Sequence, residues 1–325
     1  MEQTPPLVSV LLPAYNCVGT LGEAIASLTC QSLHDIEIIV VNDGSADGTG
    51  ALLDALALEE PRLRVVHTAN KGIVDALNTA LGLARGEYVA RMDGDDRSHP
   101  ERLSLQVSYL RDHPDCVCVG SLYRLMDSDG RITAVQQPFG NLPQTDLTIF
   151  PPRITTLPHP SILLRTADLK ALSGYRHGFS HAEDYDLFLR LAERGELGLL
   201  QLPLLDYRIH SGSLSAKNLV PQVDSALRAT LSALERNGLS VGAGHAGTDG
   251  AVDEGRLPAI WAAYRGVRLA EAAQGRGLFN LALTEATRAC RPMLRAFLNN
   301  FGLLGYWRLG LRLLKVIAKI ALRRT

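Results

Sequence analysis

The first 95 residues alternate between short apolar runs and longer stretches in which apolar residues recur every three or four positions. The runs Val8–Leu12, Ile36–Val41, Leu63–His67 and Glu87–Met92 are rich in β-branched residues and favour buried strands. Each is followed by helical spacing, which indicates successive βα units and a largely parallel sheet. The pattern predicts an α/β fold with a Rossmann-like central sheet between helices.

Capping chemistry suggests where two of these helices begin. Thr20 and Glu23 have the three-residue spacing of a capping box, so we expect the first helix to start there. Ser98, followed by Pro100 and Glu101, predicts the start of a later helix.

Beyond residue 96 the regular alternation ends. The segments Asp115–Met126 and Arg131–Gln137 flank a turn and predict a hairpin, whereas Pro138–Pro160 is proline-rich and irregular. A helix over Glu183–Arg194 and a strand with a turn over Leu199–His210 follow. We predict a first domain over 1–215 and a helical region over 216–325, interrupted by a Gly- and Ala-rich linker at 241–255.

Composition limits the functional classes. The chain has 325 residues with 33 basic and 34 acidic side chains, and this near-neutral balance argues against a dedicated nucleic-acid binder. The first residues lack the features of a signal peptide and the cysteines number five, which indicates a reducing, cytoplasmic environment. We interpret Cys116 and Cys118 as buried thiols on a strand, because no second ligand pair accompanies them.

The final segment, residues 301–325, has a different character. It carries six basic side chains and no acidic one, and its cations recur at helical spacing beside Trp307 and several leucines. It is too short in apolar length to cross a bilayer, but it suits an amphipathic helix on an anionic membrane surface. The alternative is that it packs on an acidic protein face.

Carboxylates follow two of the predicted strands. Asp43 comes after the second strand, and Asp93, Asp95 and Asp96 come after the fourth. Open α/β sheets bind ligands beyond the carboxyl ends of their strands, and three carboxylates within four residues are favoured there when a cation offsets their charge. A solvated Asp-Gly turn is the alternative. Because no glycine-rich dinucleotide fingerprint or Walker loop is present, the pattern favours a nucleotide-sugar site.

Five short motifs in order resemble family 2 glycosyltransferases of the GT-A fold, over about residues 7–215. They are Val8-Ser-Val-Leu-Leu-Pro-Ala-Tyr-Asn16, Ile39-Val-Val-Asn-Asp-Gly-Ser45, Asn70-Lys-Gly72 with Asn78, Gly86-Glu-Tyr-Val-Ala-Arg-Met-Asp-Gly-Asp-Asp96, and the pair Glu183-Asp-Tyr-Asp-Leu187 and Tyr207-Arg-Ile-His-Ser211.

The resemblance implies a UDP-sugar donor site. Asp43 would bind the uracil ring and Asp93 the ribose, while Asp95 and His210 would hold Mn²⁺ or Mg²⁺ with the diphosphate. The other donor-binding residues implied are Pro13, Tyr15, Asn16, Asn70 and Lys71. For Lys71 a solvated loop position is the alternative, and for His210, a lone histidine after a strand, the alternative is a structural role.

The resemblance also implies the chemistry. Asp184 would be the general base in a single inverting displacement on a glycan or lipid-linked acceptor, although a carboxylate in the first turn of a helix is common for its interaction with the helix dipole alone. We expect acceptor contacts near His159–Ser161 and Gly174–Arg176. No Gln-x-x-Arg-Trp element occurs; because that element accompanies processive synthases in the family, we expect non-processive transfer. The product that we expect is a cell-surface polysaccharide or glycolipid. Two other interpretations remain: a non-catalytic nucleotide-sugar-binding module and a nucleotidyltransferase.

Overall fold

A computed structural model of the chain describes residues 4–136, 145–147, 154–155, 157–209 and 219–238. The strands are β1 (Val8–Ala14), β2 (Ile36–Asp43), β3 (Leu63–Thr68), β4 (Tyr88–Arg91), β5 (Arg97–Ser98), β6 (Cys116–Met126), β7 (Ile132–Val135), β8 (Leu163–Arg165) and β9 (Glu196–Arg208). The helices are α1 (Val18–Thr29), α2 (Thr49–Glu59), α3 (Ile73–Leu83), α4 (Arg102–Asp112), α5 (Thr166–Ala171), α6 (Glu183–Ala192) and α7 (Leu219–Arg236).

One half of the sheet is parallel, as the sequence predicts. Strands β3, β2, β1 and β4 lie side by side in that order, and all three pairings are parallel. Every residue of β2 is buried, because helices cover both faces of a sheet built from βα units. This arrangement brings the carboxyl ends of β2, β1 and β4 to one edge.

The other half of the sheet is mixed. β8 runs antiparallel between β4 and β6, β9 runs parallel to β6, and β5 and β7 pair antiparallel with β9 and β6. The predicted hairpin corresponds to β6 and β7. Sequence periodicity missed β5 and β8, which have only two and three residues, too few to show alternation. Ser98 belongs to β5 rather than to a helix start, and α4 begins at Arg102.

The predicted capping box of α1 is wrong. The helix begins at Val18 and no side chain of its own caps it. Its first backbone donors are satisfied from the β2–α2 loop and the start of α2 instead. Thr49 Oγ1, on the first residue of α2, accepts from the Cys17 N–H (3.0 Å), and Asp47 Oδ2 of the loop accepts from the Val18 N–H (3.2 Å). Thr20 and Glu23 are thereby left to contact other segments.

The chain divides into two compact units. The first comprises Met1–Leu147, Pro152–Gly178 and Glu183–Ser213; in the second the structure describes 179–182 and 219–238, which include α7. The domain boundary at residue 215 stays a prediction, and the linker at 241–255 and the basic segment 301–325 lie outside the described residues. Among the helices that are described, none has both the length and the apolarity that a bilayer crossing needs.

Candidate active site

The loop after β1 is tied to the loop after β2. The Asn16 backbone N–H donates to Ser45 Oγ (3.0 Å), and Asn16 Oδ1 accepts from the Ala46 N–H (2.8 Å). Asn16 has a φ of 48°, a left-handed conformation that asparagine tolerates better than most residues. These bonds leave Tyr15 54% exposed at the sheet edge beside a half-buried Pro13.

Asp43, the last residue of β2, joins this edge to the β3–α3 loop. Its side chain is buried and accepts from the backbone N–H groups of Lys71 and Gly72, both at 2.8 Å. A Cβ on Gly44 would lie 2.6 Å from the Asn70 backbone nitrogen, so the two loops approach too closely for any larger residue. Asp43 Oδ1 also accepts a longer bond from the Thr68 hydroxyl (3.5 Å). The Asn70 and Lys71 side chains are exposed next to this carboxylate.

The acidic loop after β4 lies across the end of β1 from Asp43. In the register Leu11 pairs with Arg91 and Ala14 pairs with Asn42, so Asp43 and Asp93 flank the end of β1, about two strand spacings or 10 Å apart.

Within this loop, Asp93, Asp95 and Asp96 each present a carboxylate oxygen, all within 4.8 Å of one another. Gly94 between them packs on α1, where an added Cβ would lie 3.1 Å from Cys17 Sγ. The four residues 93–96 are called the DGDD loop below.

The electrostatics of the DGDD loop fit a divalent cation. Burial and the charges of neighbouring carboxylates raise the pKa of Asp93 and raise that of Asp96 well above its ordinary value. Among the described residues, Asp96 Oδ2 is buried without a hydrogen-bond partner. Clustered carboxylate oxygens with raised proton affinity are the donor set that Mn²⁺ or Mg²⁺ takes, so Asp95 and its two neighbours fit such an ion.

Two buried arginines lie beneath this acidic loop, and neither was predicted from the sequence as part of the site. The Arg91 side chain is 4% exposed and its Nη1 lies 2.6 Å from Asp93 Oδ2. Arg102 is fully buried, donates to the Arg91 and Pro160 carbonyls, and burial lowers its pKa to about 10. For Arg91 the available signal was its place as the single charged residue in the otherwise apolar strand Tyr88–Arg91.

Asp184 lies in the first turn of α6, close enough to Asp93 for its charge to raise the pKa of that residue. Burial raises the pKa of Asp184, and this outweighs the opposite effects of the Tyr185 N–H, which donates to Asp184 Oδ1 (2.7 Å), and of Arg91. The helix N-terminus therefore does not make this carboxylate a weak base. The structure brings Asp184 to the DGDD loop, whereas His210 lies outside the described residues.

The predicted acceptor segments are largely internal. His159 and Tyr175 are both buried, and His159 Nε2 lies 2.9 Å from the Tyr175 hydroxyl oxygen. Asn78 brackets the Tyr175 backbone, accepting from its N–H (2.9 Å) and donating to its carbonyl (2.8 Å). Burial holds the pKa of His159 well below its ordinary value, so the ring is neutral. These side chains support the site from within, which is at odds with direct acceptor contact.

Comparison with solved structures first defines the class of fold. Residues of a S. aureus TarS fragment in complex with UDP-GlcNAc align with 88% of this chain and 79% of that one, with a TM-score of 0.59 and 19% identity. A mannosyltransferase from Pyrobaculum calidifontis in complex with GDP-Man and Mn²⁺ aligns over 98% of this chain and 87% of its own, with a TM-score of 0.57 and 17% identity. The predicted GT-A fold is therefore confirmed.

Sequence comparison then identifies the family. Residues 9–171, half of the chain, match the family described as glycosyl transferase family 2. The putative glycosyltransferase EpsE of Bacillus subtilis is 34% identical over 227 residues, which cover 68% of this chain and 80% of EpsE. The chain belongs to glycosyl transferase family 2. It also matches chondroitin and hyaluronan synthases of Pasteurella multocida and Escherichia coli, but spans only 22% to 33% of their length.

Proposed function

We propose that this protein is a metal-dependent, inverting glycosyltransferase that moves a sugar from a UDP-sugar to a hydroxyl of a glycan or lipid-linked acceptor. The observation that carries the proposal is the meeting of Asp184 with the acidic DGDD loop at the carboxyl edge of the sheet. There the charge of Asp184 raises the pKa of Asp93, and the charge of Asp93 in turn raises the pKa of Asp96. Perturbed carboxylates concentrated in this position favour a reacting site over a structural one.

The donor would lie along the ends of β2, β1 and β4. Asp43 would accept a hydrogen bond from the N–H of the uracil ring, using the lone pairs that its bonds to backbone N–H groups leave free. The neighbouring residues of this base subsite would be Pro13, Tyr15, Asn16, Asn70 and Lys71. Asp93, held by Arg91, would accept from the ribose hydroxyls. The UDP-GlcNAc bound by TarS supports this choice of nucleotide, at the level of a shared fold.

Asp95, with Asp93 and Asp96 beside it, would hold Mn²⁺ or Mg²⁺, and His210 is the further ligand that we propose. When bound, the cation neutralises negative charge on the departing diphosphate, so no protein acid is needed there. The Mn²⁺ of the Pyrobaculum mannosyltransferase complex supports the use of a divalent ion in this fold.

Asp184 would take the proton from the acceptor hydroxyl as the oxygen attacks the anomeric carbon. Its raised pKa makes it a better proton acceptor than an ordinary surface aspartate. The new glycosidic bond forms on the face opposite the breaking bond to the diphosphate, so one displacement inverts the configuration and needs no covalent enzyme intermediate.

The test is product analysis on the full chain with a panel of nucleotide sugars, with and without Mn²⁺. Release of UDP together with an inverted glycoside, lost when the metal is chelated, is the expected result. Release of pyrophosphate would indicate a nucleotidyltransferase. Donor binding without turnover on any acceptor offered would favour the non-catalytic module.

The acceptor that we propose is a growing cell-surface polysaccharide or its lipid-linked precursor, extended by one sugar per encounter in the cytoplasm. The likeness to chondroitin and hyaluronan synthases supports this class over part of their length.

Residues 301–325 would hold the enzyme at an anionic membrane surface. Deleting them should abolish sedimentation with anionic vesicles and preserve transfer to a soluble acceptor; unchanged sedimentation would contradict the membrane role.

A further inference from the structure

Arg208, near the end of β9, donates to three separate segments. Its side chain is 3% exposed, and Nε donates to the Asp95 carbonyl at 2.7 Å. Nη1 donates to the Asp127 and Ser128 carbonyls of the β6–β7 turn, and Nη2 pairs with Glu23 of α1. The backbone N–H of Arg208 also donates to Asp96 Oδ1 at 2.9 Å. One residue thus bonds both a main-chain and a side-chain oxygen of the DGDD loop.

Thr20 is a second residue that donates to the same loop. Its hydroxyl donates to the Gly94 carbonyl at 3.0 Å, from the turn of α1 that also carries Glu23. Together with the Arg91–Asp93 pair, these bonds provide a donor for each residue from Asp93 to Asp96. Thr20 and Glu23, which do not form the predicted capping box, therefore both help to hold the DGDD loop. Thr20 bonds it directly, and Glu23 does so through Arg208.

The burial of Arg208 costs free energy that its contribution to the stability of the fold does not offset. A buried guanidinium loses hydration, and within the described part of the chain Arg208 gains one carboxylate partner, the 42% exposed Glu23, in return. Its remaining bonds go to backbone carbonyls of the DGDD loop and the β6–β7 turn. Three neighbouring carboxylates repel one another and would move apart unless the backbone that carries them is fixed. Outer groups that orient the ligands of a metal typically contribute 10- to 100-fold to its affinity.

We propose that Arg208, together with Thr20 and Glu23, is a positioning residue that presets the DGDD loop for a divalent cation bound with a nucleoside diphosphate. This inference rests on the donor site proposed above and assigns to it three residues that touch neither metal nor nucleotide. A planar fork that reaches the loop and the turn at once is a property of arginine, and lysine does not reproduce it.

The test compares binding of UDP to the full chain with and without Mn²⁺, by calorimetry, and follows bound Mn²⁺ by the loss of the free-ion resonance signal. Arg208→Lys should weaken Mn²⁺-dependent UDP binding about 10-fold or more. Binding of UDP without metal should change less than about twofold, since the base subsite near Asp43 is made by other loops. Thr20→Val, which is nearly isosteric, removes the 3.0 Å bond to the Gly94 carbonyl together with a longer 3.4 Å bond to the Cys17 carbonyl within α1's first turn. It should weaken the metal-dependent binding about fivefold.

Arg62→Lys is the matched control, because Arg62 likewise joins a glutamate, Glu60, to a backbone carbonyl, that of Thr29, at the opposite edge of the sheet. It should leave both measurements unchanged. Wild-type Mn²⁺-dependent affinity in both Arg208→Lys and Thr20→Val would overturn the inference, and so would an equal loss of metal-free and metal-dependent binding, which marks a purely structural role. If Arg208→Lys does not fold, Thr20→Val alone decides. Failure of the wild-type chain to bind Mn²⁺ with UDP would instead refute the donor site itself.

Discussion

The two ends of the same parallel strands carry buried carboxylates in opposite states. At the amino end, Glu37 of β2 accepts from the Ser9 hydroxyl at 2.6 Å and from the Arg85 backbone N–H at 2.9 Å, and it also pairs with the Arg85 guanidinium. Burial alone would raise the pKa of Glu37, but these bonds outweigh it and the pKa is lowered. At the carboxyl end, burial and mutual repulsion raise the pKa values of Asp93 and Asp96.

This difference in pKa distinguishes a structural cluster around Glu37 from a candidate ligand-binding site at the DGDD loop. The Glu37 cluster has a partner for each oxygen and fixes the start of β1, β2 and β4 relative to one another. The DGDD loop keeps a buried oxygen, Asp96 Oδ2, without a hydrogen bond within the described structure. Groups that destabilise the free protein are typical of sites where a bound ligand satisfies them. Substitution at the Glu37 end should therefore lower stability and leave function intact, whereas substitution at the DGDD end should raise stability and impair function.

The largest effect should come from Asp184→Asn. The amide occupies the same volume but cannot accept the acceptor's proton, so we expect turnover to fall about 10³-fold while the Kd for Mn²⁺ and UDP stays within about twofold. Rapid-quench kinetics and calorimetry on the same preparation measure the two quantities. Turnover close to that of the wild type would remove Asp184 as the base.

The pH dependence of the reaction gives the next effect. Burial raises the pKa of Asp184, so the proportion of the ionised base should fall as the pH drops through a value above that of an ordinary aspartate. Below that pH, kcat/KM should decrease about 10-fold per unit. The profile is measured at saturating Mn²⁺ with the glycoside product as readout. An acidic limb at the pKa of a solvated aspartate would contradict the dominance of burial at this position.

The sequence predicts the parallel strands and the acidic loop at their carboxyl end better than it predicts the residues that hold them in place. β1 and β2 are long apolar runs, so the predicted ends differ from the observed ones by two residues each. The acidic loop was also found, because carboxylates after parallel strands are visible in the sequence. The partners that fix these groups were missed, since Arg208 lies 113 residues along the chain from Asp95 and no local pattern connects them. Thr20 was misassigned because Asp47 of the loop after β2 and Thr49 at the start of α2 already cap α1.

Glu37→Gln should destabilise the protein and leave the active site intact. The amide loses the ion pair with Arg85, and because that arginine is 48% exposed we expect a loss of about 2 kcal/mol in the free energy of unfolding. The pKa of Glu37 is lowered by folding, so its contribution is present above the unfolded pKa and lost as the pH falls through the folded pKa. Denaturant unfolding should therefore show the two proteins converging in acid. Glu59→Gln, on the exposed face of α2, is the control and should unfold like the wild type at every pH.

The smallest effect should have the opposite sign. Asp95 raises the pKa of both Asp93 and Asp96, so Asp95→Asn relieves repulsion and should stabilise the metal-free protein by about 1 kcal/mol after solvent screening. That corresponds to an increase in Tm of about 2–4 °C when measured in a chelator.

Adding Mn²⁺ and UDP should then raise the Tm of the wild type but not that of Asp95→Asn, because the variant lacks a charged ligand. Asp112→Asn removes a charge from the exposed surface of α4 and should alter neither quantity. A metal-free Asp95→Asn protein that is less stable than the wild type would mean that the DGDD loop is a structural element like the Glu37 cluster, and the contrast between the two ends of the sheet would fail.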